Sequence, residues 1–114
     1  MLVQSCRNPS KSYTDLTLTH EVSPQPPRVG PVTITLKPAK TGRPLTGARI
    51  TLEGNMSHAG MVPVFAEATE IEPGRYRAIM ELSMAGDWFV QVHLSSSDGR
   101  ELNYQFEIKG VAST

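Results

Sequence analysis

Two thioethers and one imidazole fall within six positions of a single stretch, Asn55-Met56-Ser57-His58-Ala59-Gly60-Met61-Val62-Pro63. Strand-like runs flank it on both sides, so a loop is expected. Methionine is apolar and ordinarily fills gaps in a core, which makes two in one exposed loop unusual. Thioether sulfur is a soft ligand and imidazole a borderline one, a pairing that suits Cu(I) better than magnesium, calcium or manganese. Gly60 frees the backbone to turn tightly enough for residues three and five apart to converge. Two readings of Met56, His58 and Met61 follow. They are metal ligands, or the methionines plug one end of a sandwich or barrel with His58 merely exposed.

The rest of the chain limits what can carry such a loop. Its 114 residues make one domain, long enough to bury a core without disulfides or metal. Eleven basic and eleven acidic side chains cancel, and no basic stripe occurs, which argues against nucleic acid and anionic membrane surfaces as partners. No apolar run is long enough to span a bilayer. Nine glycines and nine prolines, among many Thr, Val and Ile, favour strands and turns over helices.

Period-two alternation supplies the elements. Leu16, Leu18 and His20 share one face of a first strand, closed by Ser23-Pro24-Gln25-Pro26-Pro27, where proline has no ladder hydrogen bond to give. Val32, Ile34 and Leu36 point inward on a second, and Ala48, Ile50 and Leu52 on a third after a solvated connection from Pro38 to Thr46. Val64 to Thr69 reads as a weaker strand near an edge. The turn Glu72-Pro73-Gly74-Arg75, with Pro presetting φ and Gly supplying φ > 0, opens a strand with Tyr76, Ala78, Met80 and Leu82 inward. Trp88, Val90, Val92 and Leu94 line the next, and Leu102, Tyr104, Phe106 and Ile108 the last. Seven short strands with regular turn signals predict a seven-stranded antiparallel immunoglobulin-like (Greek-key) β-sandwich over residues 12–110. Residues 1–11 are expected to be a flexible tether and 111–114 a tail. With no cysteine pair around it, Trp88 is expected to be core.

In that topology the first–second, third–fourth and fifth–sixth connections crowd one end of the sandwich. The Met/His loop is the third–fourth connection and Leu82-Ser83-Met84-Ala85-Gly86 the fifth–sixth, so Met84 is expected beside Met56, His58 and Met61 as a fourth soft ligand. Met80 is expected in the core beneath that rim. His20, whose strand leads into the first–second connection, is a more distant candidate, and His93 faces outward as a surface histidine. Glu67, Glu70 and Glu72 read as a solvated face, since the Asp/Asn/Gly spacing of a calcium loop is absent.

Four segments in order, Pro44-Leu45-Thr46-Gly47-Ala48-Arg49-Ile50, Met56-Ser57-His58-Ala59-Gly60-Met61, Pro73-Gly74-Arg75-Tyr76 and Met84-Ala85-Gly86-Asp87-Trp88, resemble the YtkA-like domain, which is related to FixH. The resemblance runs from about Val32 to Ile108. It implies an immunoglobulin-like sandwich outside the cytoplasm, periplasmic and either free, lipid-anchored or fused to membrane proteins. It also implies association with copper handling or with assembly of copper-containing respiratory oxidases. By position, Met56, His58 and Met61 are the loop residues, and Met84 and Trp88 the corner. FixH proteins carry a transmembrane helix, and this sequence has no such segment.

Two functions are therefore weighed. One is an extracytoplasmic copper-binding protein, a carrier, scavenger or metallochaperone that holds Cu(I) at the rim and passes it on by ligand exchange. The other is a metal-free interaction module that docks through the apolar rim of Met56, Met61, Val62 and Met84. An enzyme is not expected, because no paired carboxylates, Ser-His-Asp set or phosphate cradle is present. The single cysteine excludes an internal disulfide, and Leu2-Val3-Gln4-Ser5-Cys6 resembles the end of a bacterial lipoprotein signal with Cys6 as the lipidated residue. The charged start and apolar core of such a signal do not precede it.

Overall fold

The computed structural model describes residues 16–57 and 62–113. Among these the chain forms nine strands: β1 (Leu16–Ser23), β2 (Gly30–Lys40), β3 (Arg43–Pro44), β4 (Arg49–Asn55), β5 (Val64–Glu67), β6 (Thr69–Glu72), β7 (Arg75–Leu82), β8 (Gly86–Ser95) and β9 (Glu101–Val111). Two antiparallel sheets pack face to face. One has the order β1-β2-β7-β6 with β3 added to β2, the other β5-β4-β8-β9.

Alternation along the strands is the cause of the two layers. Val32, Ile34 and Leu36 of β2, Tyr76, Ala78, Met80 and Leu82 of β7, and Val90, Val92 and Leu94 of β8 are fully buried. Their neighbours in sequence face water, as side chains of period two must. Ile50 and Leu52 of β4 and Phe106 and Ile108 of β9 complete the interior. Trp88 is 0 % exposed, in the core as expected.

The strand count differs from the seven expected. The run from Val64 to Thr69 is not one strand: at Ala68 the chain leaves one sheet for the other, and β5 pairs with β4 while β6 pairs with β7. Ala68 N–H donates to the Ile50 carbonyl at 3.0 Å and anchors the crossing. All four residues of β6 are exposed, so no hydrophobic alternation announces it. The expected solvated connection from Pro38 is also partly strand, because β2 continues to Lys40 beside β1. Pro38 is tolerated there because β7 begins only at Arg75 and its pairing with β2 stops at Leu36. Its missing N–H lies on the side where its carbonyl accepts from Leu45 N–H, just past the short β3, at 3.0 Å.

Residues 111 and 112, expected in a tail, belong to the fold. Val111 is buried, and Ala112 forms a parallel bridge to Arg28. Val29 N–H donates to the Ala112 carbonyl at 2.7 Å, and Ala112 N–H to the Pro27 carbonyl at 3.1 Å. The left-handed Gly110 (φ +68°), whose N–H is held by Asp87 Oδ1 at 2.8 Å, bends the strand into this clasp and breaks the alternation that would have marked it.

Candidate functional site

The connections β1–β2, β4–β5 and β7–β8 emerge at the same end of the sandwich. Register fixes this. Gly30 pairs with Leu82, Asn55 with Phe89, and Gly86 with Val111, so the start of β2, the end of β4 and the start of β8 share one rim. The Arg28–Ala112 clasp closes that rim from the side.

Met56 and Met84 both reach this rim, as the topology predicted. Met56, one residue past β4, is 8 % exposed and turned into the core. Its terminal methyl lies 2.8 Å from where a Cβ on Gly86 would stand, so the first residue of β8 has to be glycine for the methionine to sit there. Gly86 also has φ +126°, which side-chain-bearing residues rarely adopt. Met84 stands on the corner itself and is 46 % exposed. The indole of Trp88 donates Nε1–H to the Met84 carbonyl at 2.9 Å, clamping the corner from within the core. Met80 is fully buried beneath. Its sulfur fills the space a Cβ on Gly54 would need, with the Trp88 ring beside it. The paired spacing of methionine, glycine and tryptophan in the corner motif thus encodes a clamp, a role for Trp88 beyond the core filling expected of it.

His58 and Met61 lie outside the described residues, as does Cys6. Among the described residues no three of His, Cys, Asp and Glu gather within metal-binding reach. The donors described at the rim are two thioethers, Met56 facing inward and Met84 facing solvent, and their chemistry fits a soft cation better than a hard one.

The structure does not bring His20 to the rim. It pairs with Leu36, six positions along β2 from Gly30, hence roughly 20 Å away. Its Nδ1 lies 2.9 Å from the Tyr104 hydroxyl, and its ring stacks on Phe106 at 3.9 Å between centroids. Burial in this aromatic seam between β1 and β9 pushes its pKa below the ordinary value of 6.5. His93 is on the outer face of β8, bonded to Asn103 at 2.6 Å.

The other two motifs build the opposite end. A Cβ on Gly74 would run into the Pro44 ring, so the turn before β7 closes only with glycine. Tyr76 donates its hydroxyl to the Leu45 carbonyl at 2.9 Å and accepts from Ala48 N–H at 3.0 Å. Burial raises the Tyr76 pKa. Glu70 accepts from Gly74 N–H at 3.0 Å and Gly47 N–H at 3.1 Å, and these two bonds, the Gly74 one foremost, lower its pKa. Two of the three glutamates expected on a solvated face therefore have structural work: Glu70 here, and Glu72 in an ion pair with Arg75 at 3.5 Å.

Comparisons with known proteins follow this division of motifs. No curated protein matches the sequence. A similar solved structure is the crystal structure of a DUF4426 family protein from Pseudomonas aeruginosa PAO1. It is 13 % identical, with a TM-score of 0.66 over 88 % of this chain and 91 % of that one. At that identity the likeness concerns the fold alone. The family model described as YtkA-like matches residues 11–93, which include all four motifs and both methionines of the described rim. The chain belongs to the YtkA-like family.

Proposed function

We propose that this protein is an extracytoplasmic copper-binding protein, a carrier or metallochaperone whose cargo is Cu(I), held at the rim by Met56, His58, Met61 and Met84. The supporting observation is that Met56 and Met84, far apart in sequence, reach one end of the sandwich, with the corner of Met84 packed on the methyl of Met56 through Gly86. Thioethers bind Cu(I) without deprotonation and release it readily, which suits cargo passed by ligand exchange to a docking partner. The exposed side chain of Met84 stands where such a partner would first touch. We place the protein in the periplasm or an equivalent compartment, as a lipoprotein where Cys6 is acylated, serving a copper-accepting or oxidase-assembly protein. We also read the sandwich as immunoglobulin-like, with the chain from Val64 to Glu72 as a strand that switches sheets.

A second reading is a metal-free interaction module, favoured by the exposure of Val62 and Met84 at the same rim. Anaerobic Cu(I) competition against a chromogenic chelator separates the two. The protein carries Cys6→Ser in both arms, because a thiolate binds Cu(I) by itself. Stoichiometric binding is expected, and its loss when His58→Ala and Met61→Ala are added to the same background. Equal binding by both proteins, or none by either, would refute the copper function.

A further inference from the structure

Met56 and Met84 reach one rim but face different ways. Met84 stands 46 % exposed on its corner, whereas Met56 is 8 % exposed and belongs to the core cluster. Two thioethers that ligate one soft ion must face the same centre, so one of them has to turn. Met84 is the fixed partner. Trp88 Nε1–H holds its carbonyl at 2.9 Å and ties the corner to the core.

Met56 is free to turn in a way that the other buried methionine is not. The β4 ladders end at Asn55 toward β8 and at Gly54 toward β5, short of Met56 in both cases. Its backbone therefore lies outside the sheet pairing, and its unbranched side chain rotates about three bonds. The absence of a Cβ at Gly86 makes room for its methyl, which lies 2.8 Å from where that atom would stand. Met80, by contrast, is 0 % exposed in the paired part of β7, opposite Val32. Its sulfur is enclosed by Gly54 and the Trp88 ring, and it has no way out.

We propose that Met56 is a stowed ligand, which lies in the core while the rim is empty and turns out to join Met84 when Cu(I) binds. The inference rests on the copper reading above and adds how the ion is let go. Turning out exposes an apolar side chain that the fold otherwise buries, so core packing competes with the metal. The apparent affinity is reduced by the fraction of molecules that hold Met56 out. When the ion leaves, the methyl returns to its seat on Gly86, and the return favours release. Gly86 thus sets the strength of the competition without touching the metal.

The test uses the full chain with Cys6→Ser, isotope-labelled at its methionine methyls, and Ag(I) as a soft ion without redox chemistry. In the metal-free protein a soluble paramagnetic agent should broaden the Met84 methyl signal and spare those of Met56 and Met80. Ag(I) should shift the Met56 and Met84 signals and open the Met56 methyl to the agent, with Met80 still protected. Gly86→Ala, which crowds the methyl from its seat, should bind Ag(I) about tenfold more tightly against a competing chelator, although it lowers stability. Met56→Leu, which fills the seat without a sulfur, should bind about tenfold more weakly. A Met56 methyl that stays protected with Ag(I) bound, or Gly86→Ala binding no tighter than the parent, would overturn the stowed ligand and leave the copper site standing. The parent's methyl signals decide the matter even where Gly86→Ala does not fold. A parent that takes up neither Ag(I) nor Cu(I) would overturn the copper reading and this inference with it.

Discussion

At the scale of single residues, two glycines decide the shape of the rim. Gly54 leaves room for the sulfur of Met80, and Gly86 leaves room for the methyl of Met56. These differ in how forgiving they are. Met80 is flexible and could shift to admit a methyl at position 54, whereas Gly86 combines the close contact with a positive φ. Gly86→Ala should therefore cost about 1–3 kcal/mol, the range for a strained backbone residue. Chemical denaturation would read the loss, and an unchanged midpoint would show that the corner can rearrange freely. The glycine itself was visible in the sequence, within the corner motif. The contact that requires it was not, because nothing in the spacing of Met56 and Gly86 says that they touch.

At the scale of elements, inward faces were legible and edges were not. Val32, Ile34 and Leu36, or Trp88, Val90, Val92 and Leu94, announce their strands because a one-residue slip would turn the whole set to water. The switch of the chain from β5 to β6 has no such signature, since it depends on which sheet has an open partner at that point. The same holds for the seam between β1 and β9, where His20 meets Tyr104 and Phe106. Two aromatic rings face the imidazole, while Glu21, Glu107 and Lys109 line the groove beside it. Because burial lowers the His20 pKa, the unfolded chain binds a proton that the folded one rejects. Stability from the neutral ring is full above the unfolded value of 6.5 and is lost as pH falls through the lower folded value. Urea midpoints should thus drop between about pH 7.5 and about pH 5.5. His20→Phe, which keeps a ring on Phe106 and removes the titration, should flatten that drop. An identical slope in the variant would assign the pH dependence elsewhere.

For the molecule as a whole, the four family motifs divide into two ends. Pro44 against Gly74, with Tyr76 and Glu70 tying down Leu45, Gly47 and Ala48, seals one. Met56, Met84 and Trp88 build the other, and residues 110–112 clasp it. Sequence reasoning placed both methionines at one end from strand order alone, but ended the domain too early, at residue 110. Deleting residues 111–114 should cost about 2–4 kcal/mol, from the burial of Val111 and two backbone hydrogen bonds. A loss below the error of the measurement would mean that the clasp is ornamental. The placement of Leu16 has a different consequence. It pairs with Lys40, ten positions along β2 from the rim at Gly30, hence roughly 30 Å away. An attachment made at Leu16 itself would lie at the end of the sandwich opposite the methionines and leave their rim clear.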